Sequence, residues 1–93
     1  EQRVDERRGR ERKECCVPTH FVVQGRAHAG YIRDISESGA FIETPESFEV
    51  NQPVVLTFQS LRGDEHYKAR GTIVRIDPTG IGVRFEEVFK VPS

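Results

Sequence analysis

Two short motifs carry the residues of this sequence whose types and spacing could do chemistry. The first is Arg8-x-x-x-Arg12, and the second is Asp34-x-Ser36-x-x-Gly39, a little over twenty residues further along the chain. An Arg guanidinium matches the paired O6 and N7 acceptors of guanine with two parallel hydrogen bonds, and it can also lie on a purine face or meet a phosphate. The two arginines of the first motif would therefore suit both ends of a guanine nucleotide.

The second motif supplies groups that complement the first. Asp34 and Ser36 are two residues apart, so a strand would project their carboxylate and hydroxyl from one face. A carboxylate accepts from guanine N1–H and from the exocyclic amine, and a hydroxyl can bond a phosphate or a base. Gly39 can adopt a positive φ and lets a ligand approach the backbone closely. The motifs together predict a site for an anionic guanine nucleotide.

Each motif has a plainer interpretation when it is taken alone. Asp and Ser in such a spacing often bond to their own backbone in a β-turn. An Arg-x-x-x-Arg spacing occurs by chance in any basic stretch, and Arg3 and Arg7 match it as well as Arg8 and Arg12 do. The second pair is preferred because it lies closer to the first predicted strand.

The N-terminal segment, residues 1–14, is predicted to be a flexible charged arm. Residues 1–13 contain one apolar side chain, Val4, and carry a net charge of +2. The other eighty residues carry a net charge of −3, so the whole chain carries −1. A segment of this composition cannot bury a face of its own. Because the remainder of the chain would repel an anion on average, the arm is expected to meet an anionic partner.

Residues 15–93 are predicted to form one all-β domain. Apolar residues alternate with polar ones, as in Ile81-Gly82-Val83-Arg84-Phe85 and in Val54, Leu56 and Phe58. The pattern predicts six strands, roughly 17–25, 28–36, 39–44, 53–60, 66–77 and 80–86. Short connections favour antiparallel neighbours, and closure into a small six-stranded antiparallel β-barrel would leave no bare edges.

Three local features accompany this prediction. Asp77-Pro78-Thr79-Gly80 is typical of a hairpin loop, with Gly80 at positive φ. Glu46 to Val50 is expected to form one turn. Glu86 to Lys90 is expected to begin a helix.

Composition argues against several classes of protein. His20, His28 and His66 are scattered and are interpreted as solvated or half-buried, so neither an enzyme nor a metal site is expected. The adjacent Cys15 and Cys16 would form a strained bridge, and reduced thiols fit the cytoplasm. No apolar stretch is long enough for a membrane helix and none resembles a signal peptide. The absence of Met suggests a chain cut from a longer protein or processed at its N-terminus.

A nucleic-acid-binding barrel of the OB or cold-shock type is a structural neighbour of this prediction. Such a barrel needs a basic sheet face with exposed aromatic rings on which bases stack. Here Phe21, Phe41, Phe58 and Phe85 fall in apolar alternation and are predicted to lie in the core. No nucleic-acid partner is therefore expected.

The two motifs, taken together with the strands around them, resemble the PilZ family of bacterial cyclic-di-GMP receptors. That family is recognised by R-x-x-x-R followed by [D/N]-x-S-x-x-G, which are matched here by Arg8-Gly9-Arg10-Glu11-Arg12 and Asp34-Ile35-Ser36-Glu37-Ser38-Gly39. The apolar stretch that begins at Gly39 and the closing stretch from Gly80 to Phe85 are also similar to family strands. The resemblance extends over most of residues 7–86.

The resemblance implies a split barrel whose arm folds over a ligand on the outer surface. It implies that Arg8 and Arg12 bind guanine and phosphate, and that Asp34, Ser36 and Gly39 complete the site. Arg7 matches a position where Arg in some relatives accompanies the binding of two intercalated nucleotides.

The implied ligand is cyclic-di-GMP, with no cofactor, and the implied output is ordering of the arm toward a downstream protein or a fused domain. The alternative is a nucleotide-free PilZ-like adaptor that acts through protein contacts.

Overall fold

The computed structural model describes residues 13–60 and 65–92, with side chains from Val17 onward. This part of the chain is built from strands, and it contains no helix. The strands are β1 Lys13–Val23, β2 Arg26–Ile35, β3 Gly39–Glu43, β4 Pro53–Gln59, β5 His66–Asp77 and β6 Gly80–Val91. Across these described residues, the structure has no apolar helix of the length that crossing a membrane requires.

The six strands close into an antiparallel barrel in the order β1-β2-β3-β6-β5-β4. The chain forms two three-stranded meanders, β1-β2-β3 and β4-β5-β6. Two seams join them: β1 pairs with β4, and β3 pairs with β6. The predicted fold, a six-stranded antiparallel β-barrel, is confirmed. The β3–β6 seam is the one that concerns the site.

The core lies inside the barrel and follows the alternation of the strands. Its ten buried apolar side chains come from all six strands: Phe21, Val23, Ile32, Ile42, Val54, Leu56, Ala69, Ile73, Ile81 and Val83. Phe58 and Phe85 are partly buried and pack against this cluster. The prediction that Phe41 lies in the core is wrong. Ile42 takes the inward position on β3, so the preceding residue faces the outer surface of the barrel.

Strand β1 begins earlier than the predicted residue 17. Lys13 pairs with Ile35, and Glu14 pairs with Asp34, so the first residues of β1 extend alongside the end of β2. This pairing satisfies backbone groups that the charged sequence alone gave no reason to place in a strand. It brings the start of the described chain to the end of β2 that carries the second motif.

Strand β6 continues where a helix was predicted, so the prediction for Glu86 to Lys90 is wrong. Residues Glu87 to Val91 pair with Arg70 to His66 of β5. A helix here would leave the backbone of the first half of β5 without a hydrogen-bonded partner on its β6 side. The β-branched and aromatic residues of the segment also favour a strand. Pairing with β5 therefore decides the local structure.

The loops agree only in part with the predictions made from the sequence. Pro78 and Thr79 form the predicted tight turn between β5 and β6. The expectation of a positive φ at Gly80 is wrong, because Gly25 is the one described glycine with that conformation, at φ 77°. A Cβ at Gly80 would collide with the carbonyl oxygen of Ile42 across the seam. The segment from Glu46 to Val50 has a bend at Glu46 and, at its end, a turn in which the N–H of Gln52 donates to the carbonyl oxygen of Glu49 at 3.4 Å.

Candidate functional site

An open groove lies on the outer face of the barrel, across the β3–β6 seam. Its volume is about 490 Å³, within the range of small-molecule sites. The end of β2, the turn after it and the start of β3 form one side, and the last part of β5 with the first part of β6 forms the other. The lining residues are Asp34, Ser36, Ser38, Gly39, Ala40, Phe41, Val74, Arg75, Gly82, Val83 and Arg84.

The structure brings the three described residues of the second motif together in this groove. Asp34 is half-buried near the end of β2, where it pairs with Glu14 on one side and with Phe41 on the other. The β2–β3 register shifts between Ile32 and Asp34, and such a β-bulge can re-aim the side chains next to it. Asp34 is thus held on a strand with neighbours on both sides.

Ser36 starts a tight turn that leads from β2 into β3. Its N–H donates to the carbonyl oxygen of Gly39 at 2.8 Å, and its Oγ accepts from the N–H of Ser38 at 3.3 Å. The plainer interpretation of the motif, a turn closed by its own hydroxyl, is therefore correct for this serine. The side chain remains exposed. A hydroxyl on a closed turn can still bond a ligand with its remaining capacity.

Gly39 has a different role from the one expected. It does not adopt a positive φ, so that part of the prediction is wrong. A Cβ at this position would collide with the carbonyl oxygen of Val83 and would lie 3.4 Å from the Cα of Arg84. The glycine is required because β6 passes close to β3 at the seam.

Three further residues of the groove were not recognised in the sequence: Phe41, Arg75 and Arg84. The ladder places Phe41 opposite Gly82 and Gly82 opposite Arg75, in one row across the seam. The Cζ atom of Arg75 lies 5.7 Å from the centroid of the Phe41 ring. The Gly82-x-Arg84 alternation was a signal that both residues face outward. The register of β3 on β6, which joins distant parts of the chain, was needed to identify the row.

The side chain of Arg75 lies across Gly82. A Cβ built on Gly82 would be 3.3 Å from the Arg75 Cβ and 3.7 Å from its Nε. On the other side, Arg75 Nη2 is 3.6 Å from Asp77 Oδ2. The arginine is therefore contacted along its stem and at its guanidinium.

The charge of the groove differs from the average charge of the barrel. Arg75 and Arg84 are exposed cations that line the groove, whereas Asp34 is the one carboxylate among its described lining residues and Asp77 lies 3.6 Å from Arg75 outside that lining. The sequence predicted that an anionic partner would meet the arm, because the rest of the chain carries a net negative charge. The groove offers two cations from the barrel itself, so an anionic ligand would meet positive charge there too.

The arginines of the first motif, Arg7, Arg8 and Arg12, lie outside the described residues. The nearest described residue is Lys13, which pairs with Ile35 at the edge of the groove.

The histidines agree with the prediction that they are solvated or half-buried. His20 and His66 are exposed, and His28 is partly buried with its ring 5.4 Å from that of Phe21. Within residues 17–60 and 65–92, where side chains are described, no group of three or more His, Cys, Asp and Glu side chains could hold a metal ion. The side chains of Cys15 and Cys16 lie outside the described part.

The described residues form a small closed β-barrel with an open groove on its outer face. The family model of the PilZ domain matches residues 6–90, and the chain belongs to this family. PilZ domains are generally receptors for cyclic-di-GMP rather than enzymes. A comparison with curated proteins found no match.

Proposed function

We propose that this domain binds cyclic-di-GMP in the groove at the β3–β6 seam. Asp34 accepts hydrogen bonds from a guanine base, and Ser36 and the backbone at Gly39 contact the ligand beside it. Arg8 and Arg12 approach from the N-terminal side and bind guanine and phosphate. Family membership supports this assignment, since binding of the dinucleotide is the general role of PilZ domains.

One observation carries the proposal. Glu14 pairs with Asp34, so the chain that bears the Arg motif joins the barrel directly beside the second motif. Arg12 precedes Lys13 by one peptide, and an extended chain reaches roughly 3.3–3.6 Å per residue. Arg8 is thus tethered within about 20 Å of the end of β2, close enough to reach any part of the groove.

The proposed signal is the fixing of the residues before Lys13 over the bound ligand. Charged segments of this kind that become ordered on binding can move a long way and can present a new surface to a partner. That partner is a downstream protein or a domain fused to this one. A label placed in this segment should show reduced mobility by spin-label or fluorescence anisotropy measurements when cyclic-di-GMP is added.

The proposal is tested by calorimetric titration of the folded protein with cyclic-di-GMP. Arg8→Ala, Arg12→Ala and Asp34→Ala should each weaken binding by about ten- to a hundredfold, since a bidentate contact contributes about 1–3 kcal/mol. Arg26→Ala is the matched control, because this exposed arginine begins β2 at the opposite end from Asp34. The variant should bind as the wild type does.

Two results would contradict the assignment. Absence of saturable binding at tens of micromolar by folded protein would favour the nucleotide-free adaptor. Wild-type affinity in all three alanine variants would mean that the ligand binds elsewhere. The same titration gives the stoichiometry, and two nucleotides per domain in the wild type with one in Arg7→Ala would assign Arg7 to the second nucleotide.

A further inference from the structure

We propose that Arg75 is a further ligand-binding residue: its guanidinium, lying on Phe41, forms a flat platform on which one guanine base stacks. The inference rests on the proposed function and assigns a role to the side of the groove formed by β5 and β6. It concerns residues that belong to neither motif.

Three neighbours contact the side chain of this platform. The stem of Arg75 crosses Gly82, where any larger residue would meet it at 3.3 Å. The guanidinium carbon is 5.7 Å from the centre of the Phe41 ring, and one guanidinium nitrogen is 3.6 Å from the Asp77 carboxylate. In the described part of the chain, this is the one cation–π contact.

The platform has an open face. The Arg75 side chain is 64% exposed although its guanidinium carbon lies over the Phe41 ring. The exposed area lies in the groove that Asp34 and Ser36 also line. A guanine base that donates hydrogen bonds to Asp34 would therefore have the planar guanidinium of Arg75 available for stacking.

The chemistry of the guanidinium suits this role better than that of a simple cation. It is flat, delocalised and weakly hydrated, so it stacks on aromatic and purine rings, whereas a lysine ammonium is a compact and strongly hydrated charge. Contacts that already hold the side chain reduce the ordering cost of binding. The contribution of Arg75 thus depends on its plane as well as on its charge.

The test is Arg75→Lys, measured by calorimetric titration with cyclic-di-GMP. This variant keeps the charge and removes the planar group, and it should weaken binding about tenfold, as expected for loss of one stacking contact. The thermal unfolding temperature of the free protein should stay within error of the wild type, because the residue is exposed. Arg70→Lys is the matched control, since Arg70 lies on the same strand, is 55% exposed and pairs with Glu87 away from the groove.

A double-mutant cycle tests whether the stacking contribution of Arg75 depends on the Phe41 ring. Phe41→Leu should weaken binding on its own by displacing the guanidinium, and in the Arg75→Lys background it should cause little further loss. Independent, additive losses would overturn the platform.

The outcomes distinguish this inference from the proposed function. If the wild-type protein binds cyclic-di-GMP and Arg75→Lys binds it equally well, the platform is overturned, because lysine keeps a phosphate contact but not a planar group. The assignment of the ligand would remain intact. If wild-type protein does not bind cyclic-di-GMP, both are overturned.

Discussion

At the scale of single residues, two glycines of the seam serve different purposes. Gly39 faces the backbone of β6, where the obstacle to a Cβ is a carbonyl oxygen that cannot move without the strand. Gly82 faces the side chain of Arg75, whose Cβ would lie 3.3 Å from an added Cβ, a contact that a shift of a few tenths of an ångström relieves. The first glycine is needed for the barrel to close, and the second leaves room for a side chain to lie flat.

Gly39→Ala should therefore destabilise the protein by about 1–3 kcal/mol, the usual range for overpacking against neighbours that cannot yield. Urea denaturation measures the free energy of unfolding. Gly82→Ala is the control, and its free energy of unfolding should stay closer to that of the wild type, because its nearest contact would be 3.3 Å, to the Arg75 Cβ, and no backbone oxygen stands closer. Equal destabilisation by the two substitutions would contradict this distinction.

At the scale of the elements, polar contacts join β5 and β6 at the end of this strand pair that lies away from its turn. Glu65 lies just before β5, where it accepts from the Tyr67 hydroxyl at 2.6 Å and is 3.3 Å from the Lys90 Nζ on β6. The hydrogen bond from Tyr67, and after it the hydrogen bond and charge of Lys90, lower the pKa of the Glu65 carboxyl below its ordinary value. This carboxylate links the start of β5 to the end of β6.

The lowered pKa gives a pH dependence with a defined sign. The folded state favours the ionised form, so its contribution to stability is present above the pKa of the unfolded chain and is lost as the pH falls through the lower folded value. Glu65→Gln should lower the unfolding midpoint in urea slightly at neutral pH, and should have less effect in acid and at high salt. Glu46→Gln, an exposed residue in the connection before β4, should show no such difference.

The strands and turns also show which parts of the structure could be predicted from the sequence. Alternation placed six strands and most of the core, because a period of two is local and is dictated by burial on one face. The end of β6 was missed, since Glu86 to Lys90 is a strand only through its pairing with β5. The turn at Ser36 and Gly39 was identified, whereas Phe41 and Arg75 were not. Their contact depends on the register of three strands, which no local pattern records.

At the scale of the whole molecule, the groove takes residues from both meanders. Asp34, Ser36 and Phe41 come from β1-β2-β3, and Arg75 and Arg84 come from β4-β5-β6. A ligand in the groove would hold the two meanders together across their seam. Such a ligand binds the closed barrel and has no equivalent site on the unfolded chain.

Cyclic-di-GMP should therefore raise the thermal unfolding temperature. Free ligand at a hundred times its dissociation constant would add about 2.7 kcal/mol of stability. For a domain of this size, that corresponds to an increase of about 10–20 °C. Differential scanning fluorimetry over a ligand series measures it, and Asp34→Ala at the same concentrations should show a smaller shift. An unchanged unfolding temperature despite calorimetric binding would mean that the ligand does not require the closed seam.

The placement of the groove on this seam has a consequence for the protein during its synthesis. The seam pairs Gly39–Glu43 with residues far along the chain, Gly80–Arg84, and such distant pairings form late. A nascent chain that has left the ribosome only as far as β3 carries Asp34 and Ser36 without Arg75 or Arg84. It would have no groove in which to retain a messenger molecule. Under the proposed function, binding would begin only when the second meander has been made and has closed onto the first, so unfinished chains would not compete for the nucleotide.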